Sequence, residues 1–211
     1  MNRDQVLARG REVLRREGEA LVALSGGLDE SFVRAVEWMA ECSGRVLVTG
    51  LGKSGLVARK IAATLTGTGT PALFVHPVEA LHGDLGIATR DDLLLAISRS
   101  GDNPEIVDLT VSLLHHGVRC IGLTCVADSE LARRSDLVLV TPIDGEACPL
   151  GLSPTTSATA AVAMGDALAM ALLEHRGFGE EDFASLHPSG ARGRRLTLVA
   201  RDLMHAGDDL P

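Results

Sequence analysis

The chain has 211 residues, of which 45% are hydrophobic and 23% charged, and carries a formal charge of −8; this suits one domain with a helical appendage and a sizeable core, and excludes a disordered or fibrous chain. The acidic balance, the absence of tyrosine and a total of four Phe and one Trp disfavour nucleic acid as partner and leave no aromatic platform for single strands. Its longest apolar runs, such as Leu93 to Ile97, are far short of the ~20 residues of a membrane span, so no membrane partner is expected.

Residues 1–44 read as helical. Val6, Leu7, Val13, Leu14, Leu21 and Val22 repeat at seven, and Phe32, Ala35, Val36 and Met39 follow the i, i+3, i+4, i+7 rule after a cap at Asp29. From Arg45 the rhythm changes to short branched runs, Val46 to Thr49, Ala72 to Val75, Leu93 to Ser98, Cys120 to Thr124 and Leu137 to Thr141. They are apolar on both faces, as parallel strands covered by helices on each side must be. The fold class is therefore α/β, a three-layer α/β/α sandwich around a five-stranded parallel sheet. Asn103-Pro104 and Ser153-Pro154 each place proline at a helix start, the second before a long Ala-rich helix ending near Gly177. After Gly177 come a His187-Pro188 loop, a basic segment Arg192 to Arg195 and a final helix.

In such a sheet, ligands sit beyond the carboxyl ends of the strands, where helix N-termini offer free N–H groups. The first such loop, Gly50-Leu51-Gly52-Lys53-Ser54-Gly55, fails as a P-loop because the position needing the first glycine is Leu47. As a dinucleotide fingerprint it lacks an acid at the end of the next strand, which closes on Val75-His76. An anion nest holding a monophosphate or polar sugar remains, beside the plain alternative of a turn kept glycine-rich for packing. Ser98-Arg99-Ser100-Gly101-Asp102-Asn103-Pro104 offers two hydroxyls next to a helix N-terminus, or simply a serine-rich cap. Glu105 has the position of a dipole partner. Glu146 lies among Gly145, Ala147, Cys148 and Pro149 with no local cation, a setting expected to raise its pKa and suit a base. His76, His82 and His187 lie in loops; His76-x5-His82-Gly83-Asp84 is an ambiguous set for zinc, and surface or packing use is the plainer reading. Cys42, Cys120, Cys125 and Cys148 are too dispersed for a CxxC pair and are read as buried thiols. The charged N-terminus lacks a secretory h-region, so the cytoplasm is the expected compartment.

Taken together, Gly-Leu-Gly-Lys-Ser-Gly (50–55), Thr-Gly-Thr-Pro (68–71), His-Pro-Val-Glu-Ala-Leu-His-Gly-Asp-Leu-Gly (76–86), Ser-Arg-Ser-Gly-Asp (98–102), Glu-Ala-Cys-Pro-Leu-Gly-Leu-Ser-Pro-Thr (146–155), Gly-Asp-Ala-Leu-Ala (165–169) and Asp-Phe-Ala-Ser-Leu-His-Pro (182–188) resemble the sugar isomerase (SIS) domain of arabinose-5-phosphate isomerases, from about residue 5 to 208. The resemblance implies interconversion of D-arabinose 5-phosphate and D-ribulose 5-phosphate, the entry to the Kdo sugar of lipopolysaccharide, with no cofactor required. It places the catalytic residues on Lys53, Glu105, Glu146 and His187. Substrate binding falls on Gly52, Ser54, Gly69, Thr70, His82, Ser98 and Ser100, and a histidine that takes inhibitory zinc falls on His76. It divides the chain into N-terminal helices (1–44), a sugar isomerase domain (45–185) and a tail bearing the catalytic-histidine loop (186–211). Members of the group continue into tandem CBS domains, whereas this chain stops at Pro211, as a trimmed or a naturally short version would. Departures from the family pattern include Gly67 for serine, Asp102 for glutamate and Asn103 for serine.

Moving a carbonyl between C1 and C2 through a cis-enediol needs a proton carrier, a donor to the developing oxyanion and an anchor for the phosphate. Glu146 is expected to carry the proton and Lys53 to stabilise the oxyanion, with His187 or His82 assisting ring opening and Glu105 orienting Lys53 or a hydroxyl. Two alternatives are a non-catalytic sugar-phosphate sensor and an isomerase of a larger phosphosugar such as sedoheptulose 7-phosphate. The apolar N-terminal helices and a mean hydropathy of +0.19 predict pairing between subunits, and the resemblance implies a homotetramer in which a neighbouring chain completes the pocket.

Overall fold

The computed structural model describes residues 1–188. Two helices, α1 (Arg3–Gly26) and α2 (Glu30–Glu41), precede β1 (Val46–Gly50). Then follow α3 (Lys53–Gly67), β2 (Ala72–Val75), α4 (Pro77–Leu81), a 3-10 turn (Asp84–Ile87), β3 (Leu93–Ile97), α5 (Pro104–His115), β4 (Arg119–Thr124), α6 (Glu130–Arg134), β5 (Leu137–Val140), α7 (Thr156–His175) and α8 (Glu180–Leu186). The strands form one parallel sheet in the order β2-β1-β3-β4-β5, with Val46 opposite Ala72 on one side and Leu93 on the other. All five predicted strands are present within a residue or two of their expected bounds.

Alternation along the strands divides the core into two layers. Val46, Val48, Leu93, Leu95 and Ile97 face a cluster with Ile61 of α3 and Met164 and Leu168 of α7. Leu47, Leu94 and Ala96 face Ile106, Leu109 and Leu113 of α5 and Leu131 of α6. Both faces of the central strands are thereby removed from water, which is why their sequences show no polar face.

Asp29 caps α2, accepting from Ser31 N at 2.9 Å, and Pro104 opens α5, both as predicted. The Ala-rich helix differs from its predicted start: Thr155 is its N-cap and Thr156 its first residue, two positions beyond Pro154. The missing signal is a distant acceptor, since Glu146 Oε2 takes the Thr155 and Ser157 backbone N–H groups at 2.8 and 3.2 Å. The 76–86 segment, read as a loop, contains α4 and the 3-10 turn. α8 was not predicted either; its first turn holds Glu180, Glu181 and Asp182, favourable at a helix N-terminus but without apolar periodicity to reveal it. The basic segment and final helix expected after residue 188 lie outside the described residues. By length and composition α7 could cross a membrane, yet half of its apolar window is buried in this core.

The α3–α7 contact is close because residue 165 is glycine. A Cβ there would stand 2.3 Å from Cγ1 and 2.4 Å from Cδ1 of Ile61, a side chain with no exposed surface. Gly165→Ala gains ~1 kcal/mol of helix propensity but meets an overpacking cost of ~1–3 kcal/mol. We expect net destabilisation and a melting temperature several degrees below wild type by calorimetry; an unchanged or raised value would show that the two helices can separate freely.

Candidate active site

Strand order reverses direction between β1 and β3, the point at which an open parallel sheet leaves a crevice. The two glycine-bearing loops of the sequence leave those two strands. In the first, Gly50 and Gly55 meet so closely that a Cβ on Gly50 would lie 2.6 Å from Ser54 O, and one on Gly55 2.8 Å from Gly50 O. Gly52, at φ 58°, turns the chain into α3. Packing and ligand access are thus served by the same glycines: the close approach aims the first turn of α3, with exposed Lys53 and half-buried Ser54, at the crevice.

The second loop is braced internally. Ser98 Oγ donates to Asn103 Oδ1 at 2.7 Å and accepts from Gly101 N at 3.1 Å, and Asp102 Oδ1 accepts from Glu130 N at the start of α6. Ser98 is buried and its proton is committed to Asn103, so the expectation of two free hydroxyls is corrected: Ser98 shapes the loop, while Ser100 is exposed and only accepts from Asp102 N at 3.3 Å. Asn103, the family departure, is the brace. Glu105 is half-buried in the first turn of α5.

Glu146 overturns the environment expected of it. The carboxylate is buried, and its cation is Arg99, whose Nε lies 2.8 Å from Oε1. Ser157 Oγ donates to Oε1 at 2.5 Å, while Thr155 N, Thr155 Oγ1 and Ser157 N donate to Oε2. Burial alone would raise its pKa, but the Ser157 and Thr155 donors and the Arg99 charge outweigh it and hold the carboxyl below its ordinary value. Arg99 and Ser157 also line a narrow pocket with Lys53, Ser54, Thr124, Cys125 and Thr141, so Glu146 reaches that pocket through its partners.

Three predicted residues lie at the other end of the sheet. α3 runs back from Lys53 for 15 residues, about 20 Å at ~1.5 Å per residue. His187, just past α8, sits at its far end, where a Cβ on Gly67 would be 3.5 Å from His187 Nε2. The imidazole stacks on Phe183 with centroids 4.0 Å apart, and Nδ1 pairs with Phe183 O at 2.9 Å. Gly69 and buried Thr70 are there too, the Gly69 carbonyl accepting from Arg176 at 3.2 Å. His76 is half-buried at the carboxyl end of β2, its Nδ1 unpartnered among the described residues. His82 is exposed after α4. Among the described residues, no group of three or more His, Cys, Asp or Glu side chains could hold a metal.

Arg99 and Ser157 were not singled out from sequence, and Asn103 only as a helix start and a departure from the family pattern. Arg99 stands between the two serines of a loop that was, but nothing local pairs it with a carboxylate 47 positions away. Of the four cysteines, Cys120 alone is fully buried, and burial pushes its thiol up to about 12; the others are half-buried, a correction to the uniform reading.

Residues 39–171 match the model of the SIS domain family. The chain belongs to that family. Arabinose 5-phosphate isomerase KdsD of Escherichia coli O6:H1 is 50% identical over 202 residues, 96% of this chain and 62% of the relative. The Pseudomonas aeruginosa protein of that name is 50% identical over 195 residues, 92% of this chain and 60% of the relative. The chain therefore spans about three fifths of the curated relatives it matches. A protein of E. coli CFT073 solved in complex with arabinose 5-phosphate superposes with a TM-score of 0.86 and 38% identity, covering 89% of this chain and all of the other. The SIS match starts inside α2 and ends within α7, so it takes in the crevice, Arg99 and Glu146, while His187 lies beyond it.

In this SIS domain Glu146 links the site to stability. Its folded pKa lies below the ordinary value of 4.5, so its ionised form stabilises the fold above that pH, and the contribution is lost as pH falls through the lower folded value. Glu146→Gln should melt below wild type at pH 7, and the gap should narrow by pH 3. Thermal unfolding across that range is the measurement; a gap that widens on acidification would contradict it.

Proposed function

We propose that the protein is an aldose-ketose isomerase that interconverts D-arabinose 5-phosphate and D-ribulose 5-phosphate through a cis-enediol, supplying Kdo synthesis in the cytoplasm without a required cofactor. The observation that carries this reading is the pocket at the β1/β3 crevice, lined by Lys53, Ser54 and Arg99 with Glu146 paired behind Arg99, in a chain half identical to arabinose 5-phosphate isomerases. The α3 and α5 N-termini and the Ser100 loop suit a phosphate. Anchoring it holds C1 and C2 in register, so binding energy from the remote ester is used at the reacting carbons. Lys53 stabilises the oxyanion, Glu146 carries the proton, and Glu105 orients Lys53 or a sugar hydroxyl. A carboxylate below its ordinary pKa is a weaker base but is fully ionised at neutral pH, and this reaction needs the ionised form first.

The distribution of residues makes the reading an oligomeric one. With His187, Gly69 and Thr70 about 20 Å from Lys53 across the length of α3, a second chain must bring them, or His82, to the crevice. Val6, Leu14 and Val22 of α1 and Leu150 and Leu152 beside Glu146 are 56–77% exposed, apolar surface suited to subunit contacts in a homotetramer. His76, with its unpartnered nitrogen, would take inhibitory zinc with ligands from that second chain.

Incubation with D-arabinose 5-phosphate should yield ribulose 5-phosphate by NMR, and Glu146→Gln should lower kcat by ~10²- to 10⁴-fold with KM little changed. Turnover of a larger phosphosugar alone, or binding without turnover, would favour the alternatives. Mixing the inactive variants Lys53→Ala and His187→Ala after dissociation and reassembly should restore a fraction of wild-type activity, because mixed interfaces then contain intact sites. No recovery would place each site within one chain.

A further inference from the structure

The Glu146 carboxylate has no room left for a substrate proton. It offers about four acceptor positions, and four donors and one cation crowd them: Thr155 N, Thr155 Oγ1 and Ser157 N donate to Oε2, at 2.8, 3.2 and 3.2 Å, Ser157 Oγ donates to Oε1 at 2.5 Å, and Arg99 Nε stands in an ion pair 2.8 Å from that same oxygen. Four of these belong to the first turn of α7 and its cap, where Thr156 and Ser157 are buried; withdrawing them would undo the start of the helix. Arg99 differs. Its backbone is pinned, its carbonyl accepting from Cys125 N and Thr124 Oγ1 at 3.0 and 3.3 Å, but its side chain is 44% exposed while that of Glu146 has no exposure at all. Its hold on Glu146 is an ion pair through Nε, and among the described residues none of its guanidinium nitrogens donates a hydrogen bond. It lines the pocket together with Lys53 and Ser54.

We propose that Arg99 is a catalytic residue of the isomerisation: its guanidinium exchanges Glu146 Oε1 for the C1 and C2 oxygens of the bound sugar, which bares the carboxylate and places a cation on the enediolate. The inference rests on the isomerase reading above. Once Oε1 is free, Glu146 takes the proton from C2; the C–H electron pair becomes the C1–C2 double bond, and the carbonyl pair moves onto O1, where Arg99 holds it. The O2 proton passes to O1, the C2–O2 bond becomes the new carbonyl, and the double-bond pair takes the proton back from Glu146 at C1. C1 is reduced and C2 oxidised within one molecule, and the carboxylate is regenerated, ready to recapture Arg99. The two cations that line this pocket, Lys53 and Arg99, would share the oxyanion. Among the described residues the Cys125 thiol also faces the pair, and burial pushes it upward and so keeps it neutral.

The test uses Arg99→Gln and the charge-keeping Arg99→Lys in the full chain, with folding checked by thermal unfolding. Three quantities are measured: kcat and KM for D-arabinose 5-phosphate, inhibition by inorganic phosphate, and inhibition by a phosphorylated hydroxamate that mimics the enediolate. For Arg99→Gln the expected results are a kcat lower by roughly 100- to 1,000-fold, hydroxamate affinity lower by a similar factor, and phosphate inhibition within about threefold of wild type. Arg99→Lys should recover part of the kcat. The acid limb of kcat/KM should move to higher pH in Arg99→Gln, since the free enzyme's Glu146 loses its cation. A kcat within about threefold of wild type would overturn the proposal, as would parallel losses in phosphate and hydroxamate affinity, which would make Arg99 a phosphate ligand. A wild-type protein that does not turn over the sugar phosphate would instead overturn the isomerase reading, and this inference with it.

Discussion

The arrangement of the site depends on one buried charge. Glu146 sits in the loop after β5, yet its partners come from the loop after β3 and from the first turn of α7. A buried carboxylate without donors would cost several kcal/mol, so the fold forms with these three segments in contact. One residue thus sets where α7 begins and holds two residues of the pocket lining, Arg99 and Ser157, in place. Its ionised state follows from the same contacts: the donors that overcome burial are the ones that connect the segments.

Around that charge the parallel sheet supplies direction. β1 and β3 are neighbours whose helices depart to opposite faces, α3 toward α7 and α5 toward α6. Their carboxyl ends leave a gap that no crossover covers, and the loops filling it are the tightly turned ones, with Gly50 and Gly55 in near contact and Ser98 tied to Asn103. Under the isomerase reading proposed above, such braced loops serve a reaction between adjacent carbons, because a misplacement of ~1 Å can cost ~100-fold in rate.

Much of this was legible in the sequence where the physics is local. Strand runs such as Leu93 to Ile97 reveal themselves because double-sided burial leaves no polar alternation, and Asp29 and Pro104 reveal themselves because caps act over a few residues. What escaped depends on contacts between distant positions. The start of α7 moved past Pro154 because its acceptor lies nine residues earlier at Glu146. The electrostatics of Glu146 were read with the wrong sign because Arg99 is 47 positions away. Ser98 looked like a free hydroxyl until Asn103, five residues on, was seen to hold it. Likewise, Lys53 and His187 share a motif set but occupy opposite ends of α3, a separation that no spacing in a one-dimensional string discloses.

That separation also turns α3 into a measuring rod. If sites are assembled between chains, the distance from Lys53 to Gly67 and His187 fixes how far apart successive sites stand in the assembly. Inserting a single residue would lengthen the rod by ~1.5 Å and rotate everything beyond it by ~100°. Residues such as Leu56 and Ala63 on the wet side of α3 can therefore drift in identity during evolution, whereas the number of residues in the helix should stay constant.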